Sequence, residues 1–221
     1  MPISRLPIET RLTHYLTGLT NARDVPELQS RVALYGYNPT KLDDMLTQRQ
    51  AAFDSYLAQK TEYNEQHIAT FNFEQAWAAA HTPYIRLVKL GRILFKDDYA
   101  TTVKLTLNEE RKKSFSGWLA QARKFYTNLL DDTAALATYA QYNTPLADIN
   151  AALALVNTAE QANITQAKEK GEAQQATKDR DALLDALDAD MSKFYALSKL
   201  ACEDAPQLVE MLEIVVDSSG E

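Results

Sequence analysis

The sequence predicts an all-α fold: long antiparallel helices in an up-and-down bundle with coiled-coil character, internally duplicated. Three observations predict it. Ala and Leu, both strong helix formers, supply 32 and 28 of the 221 residues, against only six Gly and seven Pro. Apolar residues recur at helical spacing over segments far longer than an ordinary helix. The end of the first half of the chain also reads like the end of the second.

The elements follow in order. A first helix starts after Pro7 and reaches about Leu19, because Leu12, Leu16 and Leu19 fall at steps of four and three. A second runs from about Val25 to Tyr35, with Leu28, Val32 and Tyr35 in line. A long helical segment spans Thr40 to about Phe95. Its seam passes through Leu42, Leu46, Arg49, Phe53, Tyr56, Lys60, Tyr63 and His67, and continues through Trp77, His81, Tyr84, Val88, Gly91 and Phe95. Pro83 predicts a kink or a break in it. The short stretch TTVKLTL carries the only β-like alternation. A helix from about Asn108 to Tyr142 carries Phe115, Trp118, Leu119, Phe125, Leu129, Leu130 and Leu136. The second long segment runs from Pro145 to about Glu203 and has a polar middle around Gly171.

The duplication rests on ordered matches. YGYNPTKLDDM resembles YAQYNTPLADI, and one deletion pairs Leu42 with Leu146 and Asp44 with Asp148. YIRLVKLGRILFKD matches MSKFYALSKLACED at a constant offset of 107, pairing Leu87 with Phe194, Leu90 with Leu197 and Asp97 with Asp204. The same offset carries forward to Leu105 with Leu212 and Leu107 with Ile214. Residues 1–221 are therefore expected to form a single helical domain, with repeat units of about 22–108 and 127–215 sharing one core. No Gly/Pro/Ser-rich linker separates them.

Thirty acidic residues against 23 Lys and Arg give a formal charge of -7. That sign opposes nucleic-acid binding and adhesion to anionic membranes. Arg111, Lys112 and Lys113, with Arg123 and Lys124 further on, read as a solvated helix face. The acid-rich stretch after Lys199 reads as a solubilising terminus. The start shows no signal-peptide pattern, and no run of about 18 apolar residues occurs, so no membrane insertion is expected and the cytoplasm is the expected compartment. Cys202 stands alone in KLACED and reads as a small buried hydrophobe.

Chemistry is sparse. The three histidines, His14, His67 and His81, form no HExxH or ExxH ligand pattern. His67 and His81 share a helix face, but they stand about 21 Å apart at 1.5 Å per residue, too far for one metal. No glycine-rich phosphate loop or nucleophile motif occurs. No catalytic residue, metal or cofactor is therefore assigned. The candidate pocket or interaction residues are Tyr35, Tyr37, Tyr139 and Tyr142 at the repeated turns, and His81, whose counterpart is Asp188. The layout resembles that of bacterial helical-bundle proteins of unknown function, an analogy of fold that carries no site residues. The leading reading is a non-enzymatic helical scaffold or protein-interaction module, acting through a protein partner or self-association. The alternative is a small-molecule or cofactor-binding helical bundle, enzymes included.

Overall fold

The computed structural model describes residues 6–213. Among these the regular structure is all helical, and no strand occurs. The helices are α1 (Ile8–Asp24), α2 (Pro26–Ala33), α3 (Pro39–Leu94), α4 (Tyr99–Lys104), α5 (Phe115–Leu130), α6 (Thr133–Gln141), α7 (Leu146–Ala201) and α8 (Pro206–Glu210). The chain forms two compact units. Unit 1 takes the chain up to Tyr63 and from Glu172 onward, and unit 2 is Asn64–Gly171. The two long helices, each of 56 residues, contribute to both units and pack closely.

In unit 1, Leu12, Tyr15 and Leu19 of α1 and Leu28 and Val32 of α2 meet Leu42 and Met45 of α3. Leu187, Met191 and Phe194 of α7 complete that core, with Leu208 and Leu212 beyond it. In unit 2, Trp118, Phe125, Tyr126 and Leu129 of α5 pack with Tyr139 of α6. Tyr84 and Val88 of α3 and Ile149 and Val156 of α7 join them. Helix starts recur at one interval: Ile8 and Phe115, Pro26 and Thr133, Pro39 and Leu146, and Tyr99 and Pro206 each stand 107 positions apart. Positive φ recurs the same way, at Gly36 (89°) and Asn143 (54°) and at Thr106 (56°) and Glu213 (60°). Gly and Asn are the residues that enter this left-handed region at least cost, and both stand just before a long helix.

Three local expectations change. Pro83 lies inside α3, so of the expected kink or break the break does not occur. Its missing N–H costs one helical hydrogen bond, but Ala80, Tyr84, Leu87 and Val88 around it are all buried. Tertiary packing of that face holds the helix through the proline. The expected helix from Asn108 to Tyr142 is two helices preceded by an irregular segment. The Gln121 side chain donates to Glu110 O at 2.7 Å and accepts from Lys112 N at 2.9 Å, which holds residues 110–112 out of helix. Asp132 then starts α6, its carboxylate accepting from Ala135 N at 2.9 Å. The TTVKLTL stretch is α4 and a turn, in which Thr106 takes positive φ while Leu105 and Leu107 are buried.

Candidate functional site

The turn between α2 and α3 builds a candidate site that lies within unit 1. Gly36 turns the chain, and the Asn38 side chain accepts from Lys41 N at 2.9 Å, capping α3. This places Tyr35, Tyr37 and Lys41 on one wall of a cavity of about 190 Å³, above Met45. Asp190, Lys193 and Leu197 of α7 form the other wall.

Tyr37 is only 6% exposed, and its ring meets Phe194 edge-on at 5.0 Å. Its hydroxyl has no hydrogen-bond partner among the described residues. Burial, and then the nearby Asp190 carboxylate, push its pKa up, so the phenol stays protonated and able to donate. Tyr35 is 40% exposed at the rim. Lys41 and Lys193 form no ion pair among the described residues.

The other two turn tyrosines belong to unit 2 and have different roles. Tyr139 is fully buried and donates to Leu87 O at 2.9 Å. Gly91 makes room for it: a Cβ there would stand 2.3 Å from the Tyr139 hydroxyl oxygen. Tyr139 is thus a satisfied core residue, and burial pushes its pKa up. Tyr142 is exposed.

His81 is exposed on α3, its ring 6.1 Å from that of Trp118. It borders two open grooves, one of about 260 Å³ with Glu74 and Trp77, the other of about 420 Å³ with Arg86 and Lys89. Behind it Phe73, Trp77, Phe115 and Trp118 form a continuous aromatic cluster. The indole N–H groups of Trp77 and Trp118 are buried there without partners. The Asp188 carboxylate is occupied within unit 1, accepting from Arg11 at 2.8 Å and from the Tyr15 hydroxyl at 3.0 Å.

No family model, curated protein or solved structure matches this chain. No helix among the described residues is long and apolar enough to cross a membrane.

Sequence reasoning missed Lys41, Asp190 and Lys193. One signal was available: a lysine in the first turn of a helix opposes the positive end of its dipole, and Lys41 stands in such a place beside two turn tyrosines. Arg111 also differs from expectation. It is not on a helix, and it donates to Thr106 O at 2.7 Å, to Glu109 O at 2.6 Å and to the Tyr84 hydroxyl. It pins the segment before α5 to the unit 2 core.

Proposed function

We propose that the chain is a non-enzymatic helical scaffold or protein-interaction module, an up-and-down arrangement of long antiparallel helices with coiled-coil character that arose by internal duplication. The 107-residue interval at four helix starts and at two pairs of positive-φ residues supports duplication. Carried through the turn, that interval pairs Leu42 with Ile149, both fully buried, rather than with the half-exposed Leu146, so no deletion is needed. Side-chain size compensates at matched positions. Tyr139 with Gly91 in unit 2 corresponds to Val32 with Ser198 in unit 1. Gly18 with Tyr195 in unit 1 corresponds to Phe125 with Val88 in unit 2. A large tyrosine meets a glycine at Tyr139 and Gly91 and at Tyr195 and Gly18, and at both matched pairs the glycine gives way to a larger residue and the tyrosine to a valine.

One observation carries the interaction reading. Exposed large apolar residues recur at matched positions: Ile93 (72%) with Leu200 (49%), and Tyr142 (58%) with Tyr35 (40%). Single exposed apolar residues are ordinary, but recurrence on both units supports a contact surface used twice. The test places a photo-crosslinking residue at Ile93 or at Leu200 of the full chain in its own cell, beside sedimentation analysis of the purified protein. Both positions should crosslink to one protein species, a second copy included, and Ile93→Glu with Leu200→Glu should abolish capture at unchanged helical content. A strictly monomeric chain that crosslinks at neither position would overturn the reading.

The cavity at Tyr37 favours a second reading, a small-molecule-binding bundle.

A further inference from the structure

We propose that the unit 1 cavity binds a small organic anion, its carboxylate or phosphate group held by Lys41, Lys193 and the Tyr37 hydroxyl. This deepens the small-molecule reading and is independent of the scaffold reading. Three features point to an anion. Two lysines, the half-buried Lys41 and the exposed Lys193, line the cavity, and neither forms an ion pair among the described residues. The start of a 56-residue helix adds the positive end of its dipole at Lys41. A phenol more than nine-tenths buried reaches the same cavity with an unpartnered hydroxyl. The hydroxyl is accessible from the cavity, where a ligand oxygen can accept from it. Charge-assisted hydrogen bonds of this kind are the strong ones.

Asp190 is the one acid among the described residues that lines the cavity. Its carboxylate lies near the Tyr37 hydroxyl and opposes an anion, but two ammonium groups outweigh it. Met45 and Leu197 give the cavity an apolar side, which suits an organic ligand better than a bare ion. The volume of about 190 Å³ equals roughly six water molecules, the bulk of a small metabolite. At the matched positions of unit 2 the set is absent: Asp148 stands for Lys41, Thr144 for Tyr37 and Pro83 for Asp190, and only Arg86 keeps the charge of Lys193. The inference therefore assigns the site to unit 1 alone.

The test uses the full chain labelled with ¹³C-methyl methionine, because Met45 lines the cavity and Met191 lies in the unit 1 core. Inorganic phosphate and succinate are titrated at constant ionic strength, with chloride as the control. The Met45 methyl should shift saturably with at least one of the two probes and not with chloride. A response to phosphate alone supports a phosphorylated ligand, and a response to succinate alone a carboxylate. Lys41→Ala and Lys193→Ala should each weaken binding about tenfold, the scale of losing one charge-assisted hydrogen bond. Tyr37→Phe should weaken it several-fold, whereas Asp190→Asn should tighten it. An unchanged Met191 methyl shows that each variant keeps its core. No saturable shift with either probe, or a shift that survives both lysine substitutions, would overturn the proposal.

Discussion

Unit 1 and unit 2 start their helices at matched positions but secure them by different means. In unit 2, Ser114, Asp132 and Asp98 cap α5, α6 and α4 with side-chain oxygens that accept backbone N–H groups. At the matched positions of unit 1 stand Pro7, Val25 and Ala205, and none caps α1, α2 or α8. Pro26 and Pro206 in the first turn serve α2 and α8 instead, because their φ is already helical and no N–H is left unsatisfied. The cores differ in the same way. Unit 1 buries Arg11 against Asp188 and Tyr15, and buries Arg49, which donates to Leu12 O at 3.0 Å. The matched residues of unit 2 are Trp118, His81, Ala122 and Val156. Helices that start 107 positions apart thus enclose a hydrogen-bonded ionic interior in unit 1 and an aromatic one in unit 2. A buried charge left alone is costly, and so is a cavity left by a missing ring.

The largest expected effect breaks this comparison at a single matched pair. Asp188→Ala should cost about 1.5–3 kcal/mol, because it removes the carboxylate that accepts from both Arg11 and the Tyr15 hydroxyl. His81→Ala, at the matched but exposed position, should stay within about 0.5 kcal/mol. Urea denaturation of both variants checks the pair, and equal losses would erase the difference between the units.

A smaller effect concerns the caps. Asp132→Ala should cost about 1 kcal/mol, the usual worth of an N-cap side chain. The same cap sets a pH dependence. The Lys104 ammonium and the Ala135 N–H hold the Asp132 carboxyl below its ordinary 3.8. A lowered folded-state pKa means stability that is present above the ordinary value and lost as pH falls through the folded one. Asp98 is lowered in the same direction by Thr101. Amide exchange at the starts of α4 and α6 should therefore rise relative to α2 and α8 once the pH drops below about 4. Parallel behaviour of all four helix starts would mean that the caps do not distinguish the units.

The smallest effect is a gain. The Ser198 hydroxyl is fully buried in unit 1 without a partner. Ser198→Ala should stabilise the protein by up to about 1 kcal/mol by removing that unmet polar group. Thermal unfolding reads the change, and a clear loss would show that the hydroxyl is satisfied.

Much of the fold was legible, for physical reasons that also explain the misses. The segments expected at Thr40 to Phe95 and Pro145 to Glu203 differ from α3 and α7 by a residue or two at each end, because the turns before them carry strong start signals. The break between α5 and α6 was hidden, since Leu129, Leu130 and Leu136 continue the apolar pattern across Asp131 and Asp132. The place of Pro83 inside α3 was hidden too, because the packing that holds it comes from residues distant in sequence. Tyr35 and Tyr37 could be singled out from the turn alone. Lys193 and Asp190 could not, because only the pairing of α3 with α7 in unit 1 brings them to the same cavity.

The matched-position comparison is tested most directly by moving the unit 1 pair into unit 2. Gly91→Ser alone should be destabilising, because the new Cβ meets the Tyr139 hydroxyl and Leu107. Tyr139→Val alone should be destabilising through the lost ring and the lost hydrogen bond to Leu87 O. In the double variant, Val and Ser stand as Val32 and Ser198 do in unit 1. Its cost should fall short of the sum of the two single costs by at least about 1 kcal/mol. Additive costs would contradict the reading of the two units as one design built twice.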